Sequence, residues 1–281
     1  MLFGIGITFA VLCALAKAID TLVNKDVMRN VSAANHTLYR IIFVLPVLFV
    51  AALFNWQLKA ECIPYVLVYG VLEAVNIFAH QLAVKKSNSL HIDMISKSKV
   101  VFTLILSFVL MVDTLSLLST LGIAVFMIGT VMTINFQNKN DEDKTDFRGI
   151  SLEIISVLAR TFKPFILKHC IQKELISNET IAFVSMIIAF ILLFVAFRPK
   201  LDVKEISVKK YSLQAFIVAF GMLFSGWAIT NANIVVVNAI ESTTVVFIML
   251  ITYFMYKKKY TPIAIIGSLL SVAGIVMAIV C

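Results

Sequence analysis

Long apolar runs alternate with short polar stretches along almost the whole chain. A helix needs about 20 mainly apolar residues to cross a bilayer, and this rule predicts ten membrane spans, here called span one to span ten. The predicted spans cover residues 2–22, 36–54, 64–82, 89–111, 115–135, 149–168, 180–197, 211–229, 232–255 and 261–280. Transmembrane strands would instead alternate apolar and polar positions. The pattern therefore predicts an all-α polytopic membrane protein.

The second half of the chain repeats the first. A shift of 145 positions aligns residues 88–134 with residues 233–279 without a gap, and a shift of 143 works near the start of each half. The aligned identities that are hardest to attribute to chance are Gly122/Gly267, Gly129/Gly274, Gly6/Gly149 and Lys25/Lys168. We predict a first five-helix repeat over 1–137, a charged linker over 138–148 and a second five-helix repeat over 149–281.

Five spans per repeat is an odd number, so the second repeat must enter the membrane from the opposite side. Inverted repeats of this kind are a recurring transporter architecture, with the binding site between the repeats near the bilayer midplane. Loops that follow odd-numbered spans hold fifteen Lys and Arg residues, whereas the opposite loops hold only Lys59, Lys168 and Lys173. By the positive-inside rule, both termini are expected to face away from the cytoplasm.

The composition supports the membrane assignment and bears on whether the protein binds nucleic acid, a metal or another cofactor. Of the 281 residues, 60% are hydrophobic and 14% charged, against about 25% charged in soluble domains. The net charge is +8, but the Lys and Arg residues lie between apolar runs rather than along one face. No nucleic acid partner is therefore predicted. Neither a metal nor another cofactor is predicted, because the cysteines are scattered. They are Cys13, Cys62, Cys170 and Cys281.

Several features together carry a family resemblance. Arg40 opens span two, Ala83 and Ala228 close spans three and eight, and the segments 122–129 and 267–274 each begin and end with glycine. In these features the chain resembles the ten-span EamA-type branch of the drug/metabolite transporter superfamily. The resemblance implies transport of a metabolite or drug, with both termini in the cytoplasm, which conflicts with the charge count.

The chain departs from that family at two places. Val100 and Val245 stand where family members often have a proline within spans four and nine. Asp113 fits the acidic residue often found where span four or nine ends, but the Lys257–Lys259 run does not.

Eleven ionisable residues fall within the predicted spans, each at a cost of roughly 2.5–3.5 kcal/mol at mid-bilayer. Most must therefore face the interior or a watery cavity. Shifts of 143 and 145 place Lys17 on Arg160, Asp20 on Lys163, Asp93 on Asn238 and Ser96 on Glu241. Spans one, four, six and nine are thus expected to line a central cavity. The predicted substrate-binding residues are Lys17, Asp20, Asp93, Lys97, Arg160, Lys163, Asn238 and Glu241.

Two interpretations of these charges stay open. Lys17, Arg160 and Lys163 could form an electropositive floor for an anion, since Arg and Lys both bind carboxylate and phosphate groups. Alternatively, the charges neutralise one another internally. The candidate pairs are Lys17 with Asp20, Arg160 with Glu153, Asp93 with Lys97, and Lys99 with Asp20 or Glu73.

Glu73, Asn76 and His80 lie on one face of span three. A buried carboxylate beside a histidine suits proton coupling, so Glu73, His80 and Glu241 are the coupling candidates. The alternative is a strip of hydrogen bonds between helices.

We predict a secondary transporter that moves a small polar metabolite, with a lean towards carboxylate or phosphate, by alternating access as the two inverted halves rock. The alternative is proton-coupled efflux of amino acids or amphipathic drugs. An intramembrane lipid-modifying enzyme is a remote alternative, because no H-E-x-x-H, G-x-S-x-G, Walker A or G-x-G-x-x-G motif occurs. Expected partners are the substrate and the lipid bilayer, with a proton or other coupling ion and a homodimer left open. The plasma or inner membrane of a prokaryote is the expected location.

Overall fold

The computed structural model describes residues 2–27, 31–86, 92, 95–111, 116–135, 147–198, 206–257 and 260–280. Almost all of them are helical, and they form the ten spans of an all-α membrane protein. Eight spans are single helices: Leu2–Val27, Ala33–Phe54, Ile63–Lys86, Leu117–Asn135, Phe147–Gln172, Asn178–Phe197, Val208–Asn231 and Pro262–Val280. Span four includes Lys99–Leu110, and span nine consists of Ile234–Ser242 and Thr244–Tyr256.

Seven of the described helices are long and apolar enough to cross a membrane, and Leu117–Thr133 is a shorter apolar helix. Span six is not among the seven, because it carries Glu153, Arg160, Lys163 and Lys168 within its length. It is also longer than predicted. Lys168, which the charge count assigned to a loop, is a buried helical residue whose Nζ donates to the carbonyl oxygen of Ala232 at 3.3 Å.

Spans four and nine are interrupted at equivalent positions, although the sequence predicts each as one helix. Single turn residues, Ser98 and Thr243, lie 145 positions apart. Each backbone N–H donates to the carbonyl three residues earlier, at 3.0 Å for Ser98 and 2.9 Å for Thr243. Each side-chain hydroxyl also donates to that same carbonyl, at 2.6 Å. Such local bonds compete with the regular helical pattern and bend the helix.

Four glycines hold spans five and ten in backbone contact. A Cβ atom added at Gly122 would lie 2.7 Å from the carbonyl oxygen of Gly274, and one at Gly267 would lie 2.6 Å from the amide nitrogen of Thr133. Small residues allow this close approach of two membrane helices.

The remaining eight spans mix the two repeats. Span one packs on span eight and span six on span three, which are equivalent pairs in the two repeats. Span nine packs on span one, and span four packs on span six, which are again equivalent pairs. Span two packs on span eight and span seven on span three, and spans two and seven also pack on each other. Two groups result, here called the first wall (spans one, two, eight and nine) and the second wall (spans three, four, six and seven). Neither wall is one sequence repeat.

Candidate functional site

A cavity of about 310 Å³ lies between the two walls and is lined by residues of all eight of their spans. The sequence predicts linings from spans one, four, six and nine, and the structure adds spans two, three, seven and eight. The predicted residues that line it are Lys17, Asp20, Glu73, His80, Lys97, Arg160, Lys163 and Glu241. Asp93 lies outside the described residues.

Asn238 was also predicted to bind substrate. Among the described residues that line the cavity, Asn238 is not present. Its side chain is fully buried, and its Nδ2 donates to Thr103 Oγ1 of span four at 3.0 Å. A buried amide needs a hydrogen-bond partner, and Thr103 supplies one across the interface between spans nine and four.

Glu241 is the centre of the first charged group, the Glu241 cluster (Lys17, Lys99, Ser225 and Glu241). Lys17 Nζ lies 2.6 Å from Glu241 Oε2, and Lys99 Nζ lies 3.6 Å from the same oxygen. Ser225 donates to Oε1, which Cys13 Sγ also approaches at 3.5 Å. The suggested pairing of Lys17 with Asp20 is therefore wrong, as is that of Lys99 with Asp20 or Glu73. In both cases the lysine reaches a carboxylate on another helix.

Glu153 is the centre of the second group, the Glu153 cluster (His80, Ser96, Glu153 and Arg160). Arg160 donates to Glu153 Oε1, as one of the suggested pairings predicted. His80 Nδ1 lies 2.8 Å from Oε2, and Arg160 also donates to Ser96 Oγ at 3.1 Å. Lys17 and Arg160 thus make equivalent contacts in the two repeats, because Ser96 occupies the position of Glu241.

The other equivalent pair, Asp20 and Lys163, has opposite charges and separate partners. Asp20 accepts from Arg40 at 2.5 Å and from Gln214 at 3.0 Å. Lys163 pairs with Glu73, and its Nζ lies 4.9 Å from the centre of the Tyr69 ring.

Glu73, Asn76 and His80 all contact span six. Glu73 pairs with Lys163, Asn76 accepts from Ser156 Oγ at 3.1 Å, and His80 pairs with Glu153. The face predicted from helical spacing is therefore a polar strip between spans three and six, and Glu73 and His80 also face the cavity.

In the Glu241 and Glu153 clusters the cations are more exposed than the carboxylates that hold them. The Lys17 side chain is 43% exposed and that of Glu241 is 3% exposed. His80 and Arg160 are 31% and 22% exposed, whereas Glu153 is fully buried. At these two clusters, a molecule in the cavity therefore contacts the positively charged groups more readily than the carboxylates.

Sequence reasoning missed several lining residues. Lys99 was visible as a charge within a span but could not be matched to a partner from local spacing. Ser225 and Tyr69 gave no signal, because a serine or tyrosine within an apolar run is common. The apolar lining from spans two, seven and eight was equally indistinguishable from ordinary core.

A family model for the EamA-like transporter family matches the chain twice, over residues 4–135 and 147–280. The chain belongs to the EamA-like transporter family. It is therefore an integral, multi-pass membrane transporter of the drug/metabolite transporter superfamily, and its two matched segments correspond to the two sets of five spans. Transporters of this family are not, in general, enzymes.

Solved structures resemble this EamA-like chain in fold, and 28 of their chains match it. One, described only as "Crystal structure of protein", superposes with a TM-score of 0.76 at 14% identity, covering 99% of this chain and 96% of that chain. At that identity the likeness concerns the fold alone. No curated protein matches the sequence.

Proposed function

We propose that this transporter is a secondary carrier that moves a small organic anion by alternating access. One observation carries the proposal: Lys17 and Lys99 converge on a single carboxylate oxygen of Glu241. In the described ion pairs of the cavity, five cations (Lys17, Arg40, Lys99, Arg160 and Lys163) are held by four carboxylates (Asp20, Glu73, Glu153 and Glu241). The surplus positive charge is what an anionic substrate would neutralise, since an uncompensated charge away from water is costly.

Polar contacts between the walls support a particular division of the moving parts. Spans two and seven pack together across the walls, as do spans four and nine, and polar side chains join the walls at both ends. At one end Glu179 of span seven accepts from Asn55 Nδ2 at 3.0 Å and from Trp227 Nε1 at 2.9 Å. At the other, Asn24 Nδ2 donates to Gln81 Oε1 at 3.4 Å and Lys85 Nζ to the carbonyl oxygen of Val31 at 3.0 Å. Alternating access would break the hydrogen bonds at one end while those at the other end stay intact. The moving bodies would then be the two walls, each of mixed repeats, rather than the two halves of the sequence.

Proton coupling is a second candidate, and the His80–Glu153 pair favours it. An imidazole changes charge within the physiological pH range, and this one is partly exposed to the cavity while its carboxylate partner is buried. Glu241 and Glu73, the other coupling candidates, are each held by lysine. A pH gradient that drives uptake in the wild type but not in His80→Gln would support coupling through this pair. Unchanged gradient dependence in the variant would exclude it.

Purified protein in proteoliposomes tests the anion proposal directly. The probes are radiolabelled acetate, 4-methylpentanoate, benzoate, succinate and glycerol 3-phosphate, with 3-methylbutylamine as a cationic probe. We expect uptake of at least one anion, and a loss of about tenfold or more in Lys99→Met, because a hydrogen bond to a charged group contributes about 1.5–3 kcal/mol.

Lys59→Met is the matched control, since Lys59 is exposed in the turn between spans two and three. It removes the same charge away from the cavity and should retain transport. Movement of the amine alone, or full anion transport by Lys99→Met, would contradict the proposal.

A further inference from the structure

The cavity lining is divided between charged and apolar helices. Spans seven and eight contribute no charged side chain to the described lining. With span two they form one hydrophobic cluster that faces the cavity. Its lining members from these three spans are Ile41, Val44, Ala182, Met186, Val218 and Met222. A fully polar solute would leave this surface in contact with water or with the solute's polar groups, whereas an apolar group would be stabilised there.

The carboxylates of the cavity leave little room for a substrate ammonium group. Glu241 already contacts two lysines, a serine and a thiol, and Glu153 contacts Arg160 and His80. Asp20 uses both oxygens, for Arg40 and Gln214, and Glu73 pairs with Lys163. Among the described residues, each carboxylate at the cavity is therefore engaged by a cation. An ammonium group entering the site would have to displace one of these cations.

We infer that the substrate is an organic monoanion with an apolar body and no ammonium group, and that it binds its anionic group at Lys17 and Lys99 with its apolar body against spans two, seven and eight. This inference rests on the proposed function and narrows it. It favours aliphatic and aromatic acids over amino acids, phosphorylated metabolites and inorganic anions. The cavity, at about 310 Å³, lies at the lower end of the range of roughly 300–1,000 Å³ for small-molecule sites.

Each part of the substrate has its own consequence for affinity. A buried methylene contributes about 0.8 kcal/mol, which corresponds to about fourfold in affinity, since 1.36 kcal/mol is tenfold. Affinity should therefore rise with chain length along acetate, butanoate and hexanoate until the apolar surface is filled. Adding an ammonium group to the same skeleton should reverse that gain.

Equilibrium binding to the purified full chain in detergent, measured by calorimetry, separates these parts with four probes. The first three share a branched carbon skeleton: 4-methylpentanoate, leucine (the same acid with an ammonium group) and 3-methylbutylamine (leucine without its carboxylate). The fourth, succinate, is an anion without an apolar body. We expect 4-methylpentanoate to bind at least tenfold more tightly than leucine and succinate, and the amine not to bind.

Met222→Ser provides a second test within the apolar surface. This variant should weaken the binding of 4-methylpentanoate by several-fold and leave the binding of acetate unchanged. Met255→Ser is the control, because Met255 is exposed near the end of span nine and outside the cavity.

The two proposals fail in different ways. If succinate or acetate binds as tightly as 4-methylpentanoate, the apolar body is not recognised, but the anion carrier survives. If leucine binds as tightly as the acid, the site accepts a zwitterion and the inference is overturned, and loss of that binding in Asp93→Asn would identify the carboxylate that holds the ammonium group. If the amine binds while all the acids fail, the proposed function is itself contradicted.

Discussion

The Glu241 and Glu153 clusters occupy related positions in the two repeats, yet they balance charge differently. In the Glu241 cluster one carboxylate contacts two ammonium groups that come from spans one and four. In the Glu153 cluster the guanidinium and carboxylate lie seven residues apart on the same helix, and the third group is the His80 imidazole. One carboxylate thus contacts two ammonium groups from other helices, and the other contacts one guanidinium of its own helix and one imidazole. The duplicated fold supplies equivalent positions, and different side chains at those positions give the two clusters different chemistry.

The largest expected effect is on folding, in Glu241→Gln. Removing this carboxylate leaves Lys17 and Lys99 facing each other without an anion. Breaking a buried pair costs about 3–5 kcal/mol, and we expect about 3 kcal/mol because Lys17 is partly exposed. Denaturation of the detergent-solubilised protein measures the loss of unfolding free energy.

The double variant Glu241→Gln, Lys99→Met should recover part of that loss, because it removes one of the two repelling charges. Lys99→Met alone should cost much less, since the Lys17–Glu241 pair remains. Equal losses in all three variants would show that Glu241 acts through packing and not through charge.

Arg160→Ala should have a smaller effect on folding and a marked effect on transport. We expect about a tenfold loss of anion uptake near neutral pH, because a cation at the cavity surface is removed. Proteoliposome uptake of 4-methylpentanoate by Arg160→Ala and by the control Lys59→Met measures this loss. Full anion uptake by Arg160→Ala would mean that Arg160 only holds Glu153 and does not bind the substrate.

The sequence predicted the ten spans and the symmetric charges because both depend on local composition and on the repeat. It could not predict which charges meet. Helical spacing suggested Lys17 with Asp20, three residues apart on one face, but a lysine side chain is long enough to reach Glu241 on a neighbouring helix. Arg160 and Glu153 were predicted correctly because both lie on one face of span six.

The helix interruptions escaped prediction for a related reason. Ser98 and Thr243 are ordinary residues within apolar runs, and the proline that the resemblance suggested nearby is absent. The hydrogen bonds of their backbone N–H groups and hydroxyls to the carbonyls of Ile95 and Ile240 identify them. The mixing of repeats in each wall could not be predicted either, because hydropathy gives the spans but not their neighbours.

The smallest expected effect concerns these two interruptions. Ser98→Ala and Thr243→Val each remove one hydroxyl bond, worth about 1 kcal/mol, and favour a straighter helix. We expect the transport rate to fall by about twofold to fivefold in both, with anion affinity unchanged. Stopped-flow or filter-based uptake compared with equilibrium binding would separate rate from affinity. A change in only one of the two variants would show that the interruptions are equivalent in geometry but not in function.

In the proposed site, Lys17 and Lys99 bind the substrate, and Glu241 holds the two lysines when the substrate is absent. The most direct measurement is the dissociation constant of 4-methylpentanoate for the wild type, Lys99→Met, the double variant Lys17→Met, Lys99→Met, and Glu241→Gln. We predict that affinity falls about tenfold or more as each ammonium group is removed, and that it is retained or increases in Glu241→Gln, where the competing carboxylate is gone. Loss of binding in Glu241→Gln with full binding in the double lysine variant would contradict the account, because the carboxylate would then be the substrate's ligand.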